Sequence, residues 1–124
     1  DFVSVESGVG WIPFVLESMD WQFHNSGVIA HHPEFDLLPS EYFARQIYSC
    51  FWFENASARS AIEQLGSEHV LFETDFPHPT GLTPGPASSA MAPREHLYQS
   101  LDGLPAQDIR NVLHDNAARL YRLE

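Results

Sequence analysis

Two apolar runs, "IYSCFWF" at 47–53 and "VLFET" at 70–74, constrain this chain more than anything else in it. A strand with one wet face alternates apolar and polar side chains, whereas near-continuous runs of this kind need cover on both faces. Between them, "ENASARSAIEQLG" carries the punctuation of a helix: polar residues at its start, Ala58, Ile62 and Leu65 facing inward, and Gly66 as a stop. Buried strands joined through a helix pair in parallel, so the expected class is α/β with helices on the sheet faces.

The flanking segments extend that order. Phe2, Val3 and Val5 read as a short buried strand closed by "ESGVG". A helix of about three turns follows from Trp11, with Ile12, Val15, Leu16, Met19 and Phe23 at helical spacing and Pro13 tolerable in the first turn. Residues 24–38 lack periodicity and read as a long loop, and "PSEYFARQ" as a short helix capped by Ser40. After the third strand, prolines 77, 79, 84, 86 and 93 with Gly81 and Gly85 exclude regular structure. Two helices close the chain. The second, "PAQDIRNVLHDNAARLYRL", places Ile109, Val112, Leu113, Ala117, Leu120 and Tyr121 on one face.

At 124 residues the chain fits one domain, and no apolar run is long enough to cross a membrane. The formal charge of −11 opposes phosphate backbones and anionic lipid heads, so neither nucleic acid nor a membrane surface is an expected partner. The "FWF" aromatics lie in the most buried-looking strand and read as core. The single cysteine, Cys50, has apolar neighbours and reads as core packing; with no disulfide to form, a cytoplasmic location is expected.

In parallel α/β architectures, functional groups gather where strands end. Glu73, Thr74 and Asp75 stand at such an end, where a carboxylate can ligate a divalent metal or accept a proton; the plain alternative is that Asp75 caps a turn and His78 is solvated. "ESGVGW" offers backbone N–H groups that could cradle an anionic substrate group, or is simply a tight turn, and Glu6 fits a site or a structural role. His24, His31, His32 and Glu34 make a poor metal set, because adjacent imidazoles rarely converge on one ion. His69, His96 and His114 are expected at the surface.

Together, "VESGVGWIPFVLESMDW" (5–21), "PSEYF" (39–43), "LFETDFPHP" (71–79) and "NAARLY" (116–121) resemble the amidohydrolase-related (amidohydrolase-2) family of metal-dependent hydrolases and decarboxylases. The resemblance covers essentially the whole chain. It implies a (β/α)8 barrel of which residues 1–124 form one partial domain, the C-terminal segment with about three βα units; the absence of an initial methionine and the start inside a strand fit an excerpted or truncated chain. It also implies that Asp75 is the strand-8 aspartate, ligating the metal and handling the proton of its water, and that His78 is a catalytic partner. Glu6, Ser7, Gly8 and Trp11 would bind substrate. The implied cofactor is a divalent metal, zinc or alternatively manganese. Its remaining ligands, a His-x-His pair and a further histidine, would lie before Asp1. Many relatives carry a histidine where this chain has Glu6-Ser7-Gly8.

Two functions are therefore expected. One is metal-dependent hydrolysis or nonoxidative decarboxylation of a small carboxylated molecule by the parent polypeptide, with the "SGVGW" turn shaping the pocket. The other is a non-catalytic fragment or assembly module, inactive alone, whose open strand edges favour a homo-oligomer or association with the missing part of the barrel.

Overall fold

A computed structural model describes residues 1–123. The middle of its sheet is β2 (Ile47–Phe51), flanked in parallel by β1 (Phe2–Ser4) and β3 (Val70–Phe72). The register pairs Ser4 with Ser49 and Phe51 with Phe72, so all three strands point the same way. Phe51 and Val70 face one layer, where α1 (Ile12–Asn25) and α4 (Ala56–Leu65) bury Ile12, Leu16, Ala58, Ala61 and Ile62 against them. Two alanines on α4 let that helix lie close to the sheet. Tyr48, Cys50 and Leu71 face the other layer, where Val3, Ala117 and Leu120 pack on them.

The expected order of elements holds, with local corrections. The first strand is not buried: Phe2 and Val5 are exposed, because β1 lies at an open edge of the sheet. Strand β2 ends at Phe51, and Phe53 turns out to solvent. The loop from 24 to 38 contains a one-turn helix, α2 (Val28–His31), too short to show periodicity. Leu38 rather than Ser40 is the N-cap of α3 (Pro39–Gln46), its N–H donating to Glu41 Oε2 at 2.7 Å; the Ser40 N–H instead donates to Asp20 Oδ1 at 2.9 Å, joining α3 to α1. The proline-rich segment is irregular as expected, and α5 (Pro93–Ser100) follows it.

The last helix departs most from a regular pattern. It runs as α6 (Ala106–Arg110), a π-helical turn (Asn111–Asp115) and α7 (Asn116–Tyr121). The wider turn advances the phase, so Val112 is buried while Leu113 and Tyr121, expected on the inner face, are exposed. It also turns Asn111 and Asn116 inward. Asn111 Nδ2 donates to Ser67 Oγ at 2.9 Å, and Asn116 Nδ2 donates to the Ser67 and Val70 carbonyls at 2.6 and 2.7 Å. The His69 carbonyl and Glu73 N–H, flanking β3, bond to β2, so Val70's carbonyl lies on the outer edge of the sheet. Asn116 satisfies that edge with a side chain. Replacing it as Asn116→Ala is expected to lower the unfolding free energy by about 2–3 kcal/mol. Urea titration measures this, and an unchanged midpoint would show that the asparagine is no anchor.

Candidate metal centre

Parallel pairing sends three exit segments off one edge of the sheet, and the bonds between them set the site. The Glu73 N–H donates to the Phe51 carbonyl at 2.9 Å, prolonging the β2–β3 ladder by one step. Its side chain then reaches across β2, where Oε1 accepts the Glu6 N–H at 2.8 Å. Glu6 and Asp75 both sit in the left-handed region, at φ 54° and 56°, which non-glycine residues occupy only when their surroundings force it. The outcome is a cluster: ligand atoms of Glu6, Asp75 and His78 lie within 4.8 Å of one another.

Asp75 is fixed by its own loop. Its Oδ2 accepts the Thr80 hydroxyl at 2.9 Å and lies 3.0 Å from His78 Nδ1, while Thr80 Oγ1 and His78 Nδ1 are 2.9 Å apart. Backbone bonds from His78 N to Asp75 O and from Leu82 N to Thr74 O fold the segment back on itself. The fold needs glycine at 81, because a Cβ there would meet the Asp75 carbonyl oxygen at 2.7 Å. Only 4% of the Asp75 side chain is exposed, against 56% of His78.

The charges are shifted accordingly. Desolvation pushes Asp75 up, but the hydrogen bonds from His78 and Thr80, the His78 charge and a contact with Glu6 outweigh it, and the carboxyl is held below its usual range. Glu73 goes the other way. Burial raises it, the Glu6 N–H partly offsets that, and the neighbouring charges of Glu6 and Asp75 raise it further. Burial, the Glu73 charge and a hydrogen bond to Glu73 together push the Cys50 thiol up to about 12, in keeping with a core thiol that is not a nucleophile.

The "ESGVGW" segment forms a closed turn. Trp11 Nε1 donates to the Ser7 and Gly8 carbonyls at 3.1 and 3.0 Å, and Ser7 Oγ lies 2.6 Å from Ser4 Oγ. The Val9 and Gly10 amides, which could have faced an anion, donate instead to Glu54 Oε1, each at 2.9 Å. Gly8 is buried, Ser7 and Trp11 are exposed, and the Phe76–Pro77 peptide is cis.

Among the described residues, His24, His31, His32 and Glu34 do not gather into a ligand group. His32 pairs with Glu34 at 3.0 Å and stacks on Phe35. His114 is exposed as expected, but His96 is buried on the inner side of α5, and His69 is half-buried against the Tyr48 ring at 4.4 Å. Sequence reasoning missed Thr80 and Glu54. Thr80 gives no signal beyond its closeness to Asp75. Glu54 does have one: it is a carboxylate directly after an apolar run, as Glu73 is.

The profile of the Amidohydrolase family matches residues 1–123. The structure of 5-carboxyvanillate decarboxylase from Sphingomonas paucimobilis is similar, with 29% identity and a TM-score of 0.70 over 94% of this chain and 33% of that one. An amidohydrolase from Mycobacterium avium subsp. paratuberculosis shares the fold, with 24% identity and a TM-score of 0.71 over 95% of this chain and 27% of that one. The chain thus spans about a third of the length of these barrels. No curated protein matches.

Two outcomes follow from the local electrostatics. Because the folded pKa of Asp75 lies below its unfolded value, its contribution to stability is present above the ordinary aspartate range and is lost as pH falls through the folded value. Thr80→Val removes one of the hydrogen bonds responsible, so the Asp75 carboxyl followed by carbon-detected NMR titration should move up; an unmoved titration would exclude Thr80 as a cause. Cys50 should resist alkylation at pH 8 in the folded chain and react fully in denaturant, and rapid labelling without denaturant would contradict its burial.

Proposed function

The chain belongs to the Amidohydrolase family, and from that premise we propose that it forms the C-terminal barrel segment of a metal-dependent hydrolase or nonoxidative decarboxylase acting on a small carboxylated molecule. The convergence of Glu6, Asp75 and His78 carries this proposal. Two carboxylates and an imidazole suit zinc or manganese, and their mutual distances fit a shared ion. A divalent ion held by these residues would supply Lewis-acid polarisation of a substrate oxygen. The likeness to a solved decarboxylase whose named substrate is itself a carboxylate supports a carboxylated substrate.

The chain's own residues have separable tasks in this proposal. Asp75, held ionised by Thr80 and His78, is the strand-end ligand and proton acceptor, with Oδ1 left free of those two bonds. His78 turns Nδ1 toward Asp75, which leaves Nε2 on the exposed side to join the ion when one is bound and to exchange a proton when none is. Glu6 adds a second carboxylate from the far strand of the sheet, beside the histidine ligands that the family resemblance assigns to the region before Asp1. The turn through Ser7, Gly8 and Trp11 borders the substrate, with the half-exposed indole as its apolar wall and Glu6 as its polar end.

A second reading rests on a different observation. A groove of about 960 Å³ runs beside β1, walled by Phe2, Val15, Met19, Phe35 and Tyr42. This apolar edge favours the chain as an assembly module that pairs with the barrel segment completing its sheet. Elemental analysis of the longest natural form tests the first reading: Asp75→Asn is expected to remove most bound zinc or manganese and activity, and unchanged metal content would refute the role of Asp75. Light scattering tests the second, with the 124-residue chain expected as dimers or larger species; a strictly monomeric chain would count against it.

A further inference from the structure

Glu54 lies outside the ligand group, yet it is buried with 8% exposure in a chain whose other carboxylates are mostly solvated. It follows the end of β2 and precedes the first turn of α4, so its side chain is rooted between two rigid elements. Its Oε1 accepts two main-chain N–H groups, from Val9 and Gly10, each at 2.9 Å. Its Oε2 is buried without a partner. The receiving turn is shaped to admit it: a Cβ at Gly8, where φ is +68°, would stand 2.9 Å from Glu54 Oε2, and one at Gly10 would stand 2.7 Å from Ser57 Cβ. Both glycines are therefore needed by the carboxylate and by the helix behind it.

The turn so gripped begins at Glu6. Its near end is held by Glu73, through the Glu6 N–H at 2.8 Å, and its far end by Glu54. Each grip comes from the exit of a different strand, β3 for Glu73 and β2 for Glu54. A buried carboxylate with an unused oxygen is an expensive way to hold a turn, since desolvation penalises the charge and a neutral acceptor could take the same two donors. Two charge-assisted bonds give a shorter, stiffer attachment than neutral ones.

We infer that Glu54 is a positioning residue for the candidate metal centre: by clamping the Val9 and Gly10 amides it holds the β1 exit turn so that Glu6 stays within ligand distance of Asp75 and His78. The inference rests on the metal-centre proposal for its consequence, though not for its geometry.

The test uses the longest natural form of the protein, Mn²⁺ as the probe, and two variants of nearly the same volume. Glu54→Gln keeps an acceptor oxygen, whereas Glu54→Met keeps only the stem. Residues that orient metal ligands typically change affinity by about 10–100-fold when lost. Glu54→Met is thus expected to weaken Mn²⁺ binding, read by electron paramagnetic resonance, by about tenfold or more, and Glu54→Gln to restore most of it. In amide NMR spectra of the metal-free chain, the Glu6, Val9 and Gly10 resonances should move in the methionine variant, while those of the β2–β3 ladder stay in place. Wild-type Mn²⁺ affinity in Glu54→Met would overturn the inference, as would unmoved Glu6, Val9 and Gly10 amides. If the unaltered chain binds no Mn²⁺, the metal-centre proposal fails, and the amide shifts alone decide whether Glu54 positions Glu6. Should Glu54→Met not fold, Gly8→Ala displaces the same carboxylate from the other side and is expected to lose affinity likewise; wild-type binding there would also overturn the inference.

Discussion

Everything at the candidate site depends on β2 being paired in parallel on both sides. An antiparallel neighbour would send its exit loop to the opposite edge of the sheet. Parallel pairing instead delivers the ends of β1, β2 and β3 to one edge, with adjacent strands about 4.8 Å apart. That spacing is short enough for Glu73 to bond across β2 to Glu6. The requirement for parallel pairing is in turn written in hydrophobicity. Phe51 and Val70 on one face, and Tyr48, Cys50 and Leu71 on the other, leave neither side of the strand pair free to meet water.

The same convergence creates an electrostatic problem. Glu6, Glu54, Glu73 and Asp75 leave the sheet at one edge of a chain whose net charge is −11. The chain's basic side chains are all arginines, and their described contacts lie elsewhere: Arg45 on Tyr42, Arg59 on the Gln99 carbonyl, Arg94 on Tyr98, Arg110 on Asp115 and Arg119 on Glu68. Compensation comes from other groups instead. Main-chain N–H groups serve Glu54 and Glu73, and a hydroxyl and an imidazole serve Asp75. Dipoles can hold such charges in place without cancelling their sum. Glu73's pKa is raised chiefly by burial, and the neighbouring charges of Glu6 and Asp75 add to the rise.

How much of this was legible in the sequence depends on the range of the interaction. The apolar runs and Gly66 reveal β2, α4 and β3, because each signal lies within its own segment. Asp75 and His78 stand out as candidates because they follow an apolar strand directly. The open edge that exposes Phe2 and Val5 was not legible, since it depends on what pairs with β1. Nor was the phase shift in the last helix: a π turn changes which residues face inward without changing composition, so Asn116 is buried where an apolar stripe was expected. The encounter of Glu6 with Asp75, 69 positions later in the chain, is set by sheet register, and a one-residue slip would separate them. Glu54 was obscured by reading "ENA" as ordinary polar residues at a helix start, when its side chain in fact turns back to the preceding βα unit.

Strain and preorganisation at this edge are one arrangement. Left-handed backbone at Glu6 and Asp75 persists only while neighbouring bonds over-determine it. For Glu6 those bonds are the Glu73 carboxylate on its own N–H and the Glu54 carboxylate further along the turn; for Asp75 they are the His78 amide on its own carbonyl, the Leu82 amide on the preceding Thr74 carbonyl and the close packing against Gly81. Release either set and the residue relaxes toward ordinary φ, carrying its carboxylate away from the other. The spacing between Glu6 and Asp75 is therefore a property of the two turns rather than of the carboxylates, which by their charge alone would move apart. A cation entering a site built this way would meet little reorganisation, because the repulsion between its carboxylates has already been overcome in folding.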